Sequence, residues 1–464
     1  MFPKPALRAI SLIVLCALSS TTAASDLALT RTTRAQLAKL QPGGTLTIKA
    51  FPAGPGENAT LAFHRVDIYS GDAHVYIAGA DGSRTELPKS NRIFLRGYSS
   101  DGSVRVALSL NQDLSIAEGN GIGARGSFVL RTDATRTSLH AMTLESAIPA
   151  GTKLDFQCGN ELENMDTSSG SVAQKLGIAT AGIPVGSVSS SRFALVAVDT
   201  DSLFMSKLFG NNTISATNWI ASVFNTMNTM YEADLNMQLL QGTTILRTSS
   251  ASDPYTGATD VPADGNDLNI FGSYWKTNEA GVPRTFATLL SGRGPCSGNG
   301  CSASGIAWIN QYCQDGFSSG ANTVGSYNVV QVFSSLSIDP NGNIAARLMG
   351  HELGHNFGAY HTHCTNAGTG VAPTGTNTID QCISGEVDGG TACYSGATSC
   401  PQDGGVSAAG TIMSYCNIKG CPAPGSQNAL QFHPVQITVL GGYINQQSTC
   451  LNASDEIFAN GFDS

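Results

Sequence analysis

The sequence is poor in charge. Lys, Arg, Asp and Glu make up only 13% of its 464 residues, and no cluster of Lys and Arg offsets a net charge of −9. A nucleic-acid binder needs a basic face to neutralise phosphates, so that class is excluded. Long apolar runs are lacking as well. Ala9 to Leu18 falls far short of the ~20 residues a bilayer demands, and nothing later is apolar enough to span. Cysteine is nearly missing from the first half, where only Cys16 and Cys158 precede residue 290. Glycine, by contrast, is plentiful at 52 residues, alongside 41% hydrophobic residues. That mixture excludes wholesale disorder and suits a loop-rich globular chain better than a helical bundle.

Lys4 and Arg8, the short apolar stretch, and the small residues Thr22-Ala23-Ala24 read as a signal peptide over residues 1–24, so a secreted chain is expected. Leu15 precedes Cys16 where a lipoprotein signal wants a small residue. In an oxidising compartment the remaining eleven cysteines are an odd number. The ten between Cys296 and Cys450 suffice for five disulfides, which leaves Cys158 over.

Residues 25 to about 165 alternate β-like runs (Thr45 to Ile48, Val75 to Ile77, Ser103 to Leu108, Ser127 to Leu130) with Gly, Asp and Asn turns, predicting a mostly antiparallel β unit. His64, His74 and His140 are isolated there and read as ordinary sheet or surface residues. From Asp166 to Ser191 the chain turns small and polar, an exposed linker by composition. A β-rich unit with a terminal linker is therefore expected over 25–191. Beyond it, Phe193 to Val198 reads as a buried strand, Ile214 to Leu235 as a helix and Gln238 to Leu246 as a strand, an α/β unit with a right-handed crossover.

The informative stretch is His351-Glu352-Leu353-Gly354-His355-Asn356-Phe357-Gly358-Ala359-Tyr360-His361. Asn343 is a candidate cap for a helix from about Ile344, with Ile344, Leu348, Met349, Leu353 and Phe357 as its apolar positions. Four residues apart, His351 and His355 project from one face, the spacing that binds one Zn²⁺. Glu352 lies beside them, within reach of an activated water. Gly358 permits the positive-φ turn that ends the helix and lets the chain double back to deliver His361 as a third ligand. Three neutral nitrogens leave a fourth position for water, the open arrangement of a catalytic zinc site. His363 is an alternative ligand that the spacing disfavours.

These residues resemble the metzincin zinc endopeptidases, whose extended motif they match, and Thr411-Ile412-Met413-Ser414-Tyr415 resembles the family's Met-turn. Within metzincins the likeness is greatest to the reprolysins, or adamalysins, over roughly 192–452, followed by a tail at 453–464. The resemblance implies an α+β fold: a mixed twisted sheet with long helices, an active-site helix and a Met-turn with Met413 as apolar floor, preceded by a β-rich prodomain. It also implies a helix end at Leu289 to Gly292, and a cleft edge strand at Gly305, Ile306, Ala307 and Trp308 where substrate adds as a strand. A disulfide between Cys313 and Cys450, and a pocket lined by Ser414 to Ile418, are implied likewise. Three departures stand out. Thr362 follows the third His where reprolysins carry Asp. Ala194 and Thr285 fall where calcium-binding carboxylates would, so calcium is not carried over. Tyr415 sits two residues after the Met, as in astacins and serralysins, and is either an oxyanion group near zinc or a core residue.

The resulting expectation is a secreted, monomeric zinc metalloendopeptidase made as a zymogen, acting on protein and peptide substrates with Glu352 as general base. Cys158, followed by Gly159, resembles the propeptide Cys-Gly that occupies the zinc's fourth position in many metzincins, which makes the propeptide an inhibitor of its own chain. One alternative is a zincin of another branch. Another, from a different class, is a surface- or matrix-binding protein with a vestigial zinc domain; the retained Glu352 argues against it.

Overall fold

Successive side chains of a strand point to opposite faces, and the central strands of the first half bury both faces. In this computed structural model, which describes residues 27–158 and 192–453 apart from 42, 125, 133–136, 151, 258–260, 298–299, 312–315, 320–321, 371–376, 389–390, 402–409, 417–428 and 447–450, eight strands form an antiparallel sheet. Their order is Leu27–Ala28, Ser138–Thr143, Gly126–Thr132, Ile116–Gly123, Arg105–Leu110, Ile93–Tyr98, Glu57–Val66, Leu46–Gly54. Leu95, Val106, Leu108, Phe128 and Leu130 pack with Phe51 and Phe63 in a core of their own. The intervening residues point the other way: Phe94 and Val129 join the main core shared with the second half of the chain.

The second half is built on a mixed sheet of ten strands. Arg192–Thr200 lies parallel to Met237–Leu246 on one side and to Phe286–Gly294 on the other. Tyr327–Phe333 continues the parallel set, and Gly300–Ala307 closes it antiparallel. The helix Thr213–Leu235 connects the first parallel pair as a crossover, with Asn212 accepting from Ser215 N at its start and Asn236 in the left-handed conformation at its end. It packs beside the helix Asn343–Asn356, its Tyr231 hydroxyl donating to Gly350 O at 2.9 Å.

Three expectations need correction. Val75–Ala78, with its hairpin partner Arg84–Leu87, leaves the N-terminal sheet and pairs parallel with Met237–Leu246, so the two halves share a sheet. Leu289 to Gly292 is no helix end. It lies inside the strand Phe286–Gly294, whose nine residues are all buried between two paired neighbours. A short apolar run does not distinguish strand from helix by periodicity, and the pairing partners decide it. Asn343 does not cap the helix it begins. Gly342 is the cap residue, with φ 67°, and the Asp339 carboxylate accepts from Ala345 N at 2.8 Å.

Candidate metal centre and catalytic cleft

The helix Asn343–Asn356 is buried along its whole length and presents His351 and His355 from one face. Phe357 N and Gly358 N bond back to Leu353 O and His355 O, and Gly358 adopts φ +107°. The chain reverses there and brings His361 to the same point. Three Nε2 atoms converge: His351 to His355 at 3.1 Å, His351 to His361 at 3.2 Å and His355 to His361 at 3.2 Å. His351 Nδ1 lies 2.7 Å from Ile412 O and His355 Nδ1 2.7 Å from Ala359 O. A carbonyl accepts only, so each of these Nδ1 atoms carries the proton and each Nε2 presents a lone pair. Lone pairs aimed at one point repel unless a cation sits among them, and backbone carbonyls behind the rings are how metal-binding histidines are held. Burial, with His351 and His363 nearby, lowers the His361 pKa well below the ordinary imidazole value, so its ring stays neutral and ready to donate. The donor set fits a metal ion.

Glu352 is fully buried beside the cluster. It faces the strand Gly300–Ala307, where a Cβ on Gly305 would lie 2.5 Å from its Cδ. Ile306 and Ala307 belong to that strand, and Trp308 follows it. The strand's outer edge is covered by Lys153–Cys158, which runs parallel to it with Cys158 opposite Gly305. That register puts Cys158 Sγ 3.6 Å from His355 Nε2 and 4.0 Å from Glu352 Oε2. The ligand atoms of Cys158, His351, His355 and His361 all lie within 4.8 Å of one another. Cys158 is buried and is not in a disulfide.

Met413 lies against the helix Asn343–Asn356, where a Cβ on Gly354 would come 2.8 Å from its Sδ. The ring of Tyr415 sits 4.5 Å from that of His361, between centroids, in a small cluster with Cys158 and Ile383. His363 points elsewhere, with its Nε2 2.8 Å from Glu386 Oε2. Thr285 is engaged within the sheet, its hydroxyl accepting from Leu195 N at 3.0 Å.

Two residues escaped the sequence reading. Asp380 accepts from the Thr362 hydroxyl and, at 2.8 Å, from the Ser414 hydroxyl, tying the segment after His361 to the turn at Met413. Asn356 donates to Trp308 O at 2.9 Å and Tyr327 O at 3.1 Å, which fixes the helix end to the ends of the strands Gly300–Ala307 and Tyr327–Phe333. Neither carries a local signal: Asp380 lies in a cysteine-rich loop 18 residues past Thr362, and Asn356 reads as one more polar helix position. Disulfides Cys364–Cys393 and Cys382–Cys416 brace this loop, and Cys296–Cys301 closes a hairpin at the start of the strand Gly300–Ala307. Cys313, Cys450 and part of Ser414 to Ile418 lie outside the described residues.

A family model described as metallo-peptidase family M12 (Reprolysin_5) matches residues 189–428, just over half of the chain. The chain belongs to metallopeptidase family M12. That membership implies a metzincin-like fold for the M12 domain and covers every histidine of the cluster, Glu352, Met413 and Tyr415, but not Cys158. No curated protein matches. Among solved structures, one titled "Structure of a chaperone-substrate complex" is similar at 13% identity and a TM-score of 0.24, covering 69% of this chain. This chain spans 39% of that one. Among the described residues no helix of the M12 protein is long and apolar enough to cross a membrane.

Proposed function

We propose that the protein is a secreted zinc-dependent endopeptidase of the reprolysin-like branch, made as a zymogen whose residues 25–191 inhibit the catalytic unit 192–452. The convergence of three Nε2 atoms at 3.1–3.2 Å, beside a buried Glu352, carries this reading. His351, His355 and His361 hold the ion. Zinc, when bound there, supplies a Lewis acid and brings the pKa of water towards ~7. Glu352 takes a proton from the attacking water at a carboxylate oxygen and later delivers it to the leaving amine. A polypeptide substrate adds to the edge formed by Gly305, Ile306, Ala307 and Trp308, next to and overlapping at Gly305 the stretch that Lys153–Cys158 covers in this chain. Met413 forms the apolar floor beneath the imidazoles, and Tyr415, its ring beside that of His361, helps hold the oxyanion.

Cys158 closes the site in the precursor. Its thiol lies where a fourth ligand would approach the three nitrogens, and the strand that carries it covers the substrate edge. The signal-like residues 1–24 and the disulfides support export through an oxidising compartment. The test compares initial rates on a protein substrate for the uncleaved precursor, Cys158→Ala, and Cys158→Ala/Glu352→Gln. The expected series is silent, active, silent, with one zinc per chain throughout. An active wild-type precursor contradicts the zymogen reading, and turnover by the double variant contradicts Glu352 as base.

A further inference from the structure

The N-terminal half is bound to the catalytic half in two unlike ways. Lys153–Cys158 is a single strand on the cleft edge. Its Lys153 and Asp155 are exposed, and its ring contact is Phe156 against Phe333 at 5.6 Å. The rest, residues 27–147, lies along the other side of the helix Thr213–Leu235 and the far edge of the catalytic sheet. Two acids on that helix take their cations from the N-terminal sheet. Asp234 pairs with Arg105 at 2.7 Å, and Glu232 pairs with Arg96 and accepts from Tyr98 Oη at 2.8 Å. Asn120 donates to Thr226 at 2.9 Å and Ser90 to Asn218 at 2.6 Å. At the sheet edge, Gln241 N donates to Ile68 O at 2.8 Å and Thr244 N to His74 O at 2.7 Å, and Val75–Ala78 pairs beyond them. All ten residues of Met237–Leu246 are buried as a result. Ile68, Val75, Phe94, Val129 and Leu144 belong to the same apolar core as the active-site helix.

Removing residues 27–147 would therefore leave the buried Asp234 and the largely buried Glu232 without cations, open a shared core and expose the edge of the ten-residue strand Met237–Leu246, the kind of edge that pairs with other chains. Removing Lys153–Cys158 would free the edge of Gly300–Ala307 and the partly buried Leu154 and Phe156, but would strip no acid of its cation and take no fully buried residue out of the shared core. We propose that the catalytic half keeps residues 27–147 as a lasting partner, so that a cut within 159–191 yields a two-chain complex instead of a released protease. The proposal takes from the zymogen reading only that the chain is cut in that segment.

The experiment places a recognition sequence for a site-specific protease between Asp166 and Ser191 of the full chain, cuts it, and runs gel filtration at about 1 μM, where a complex with a Kd well below that value stays together. Two bands on a denaturing gel that co-elute at the volume of the uncut chain are expected. Arg105→Ala should release the N-terminal fragment at lower urea than wild type, whereas Lys39→Ala, an exposed control, should not. Fragments that separate, leaving a soluble monomeric catalytic fragment, overturn the proposal. If Arg105→Ala fails to accumulate, the wild-type elution decides alone. Activity of the uncut chain would count against the zymogen reading and leave the co-elution result standing, so the two failures are distinguishable.

Discussion

Replacing Gly305 by Ala is a small change with a large expected effect. Gly305 is paired on both sides, with Val330 in the sheet and with Cys158 across the cleft edge. Its added methyl would lie 2.5 Å from Glu352 Cδ and 2.6 Å from Cγ, where ordinary contact is 3.4–4 Å. The strand is held by its pairing to Tyr327–Phe333, so the carboxylate has to rotate away. Overpacking of this kind costs about 1–3 kcal/mol of stability. Withdrawing a positioned general base costs about 10²–10⁴-fold in rate. The three imidazoles are anchored independently, by Ile412 O, Ala359 O and the turn at Gly358. The assay is kcat and KM on a peptide substrate with the activated enzyme, alongside zinc content and a urea unfolding curve. Expected are kcat and kcat/KM lowered together by at least about 10²-fold, with zinc retained, the signature of an interaction lost in the transition state. Near-native kcat would refute the placement of the base against this strand, and loss of zinc with the activity would refute the independence of the two parts.

Two further outcomes follow from buried polar groups. Asp380→Ala removes the carboxylate that the Thr362 and Ser414 hydroxyls share, leaving them the longer bond to Met413 O and the weak sulfur acceptor Cys416, at about 1–3 kcal/mol, and should weaken zinc binding about 10–100-fold in a chelator competition; Asp380→Asn, whose carbonyl still accepts, should recover part of it, and unchanged zinc affinity in Asp380→Ala would show that the brace does not reach His361. Glu118 is pushed up to about 7 by burial, against the pull of Arg92, whose guanidinium lies 2.6 Å away, and with Asp339 adding to the rise. Its folded-state pKa lies above the ordinary 4.5, so its contribution is full below about 4.5 and is lost as pH rises through about 7, worth about 3 kcal/mol. Glu118→Gln should flatten the fall in urea midpoint across that window, and a slope equal to wild type would contradict the assignment.

The chemistry was more legible in the sequence than the architecture around it. His351, Glu352, His355, Gly358 and His361 lie within eleven residues, and helix periodicity with one glycine turn is enough to bring them together. The strands Arg192–Thr200 and Met237–Leu246 and the helix between them were legible for the same local reason. What depends on distant partners was not. Val75–Ala78 alternates like its neighbours in sequence, and only the open edge of Met237–Leu246 draws it into the other sheet. Leu289 to Gly292 becomes a strand because two strands flank it. Asp380 and Thr362 meet through a disulfide-braced loop whose path no local pattern foretells.

The most direct test of the account is zinc-edge X-ray absorption on the purified full-length precursor. Three histidine nitrogens near 2.0–2.1 Å and one sulfur near 2.3 Å are predicted, with the sulfur lost in Cys158→Ala and a nitrogen lost in His361→Ala. A precursor without zinc, or with zinc in a shell lacking three imidazoles, would contradict the central claim; a shell with three imidazoles and no sulfur would keep the metal site and reject Cys158 as the group that closes it.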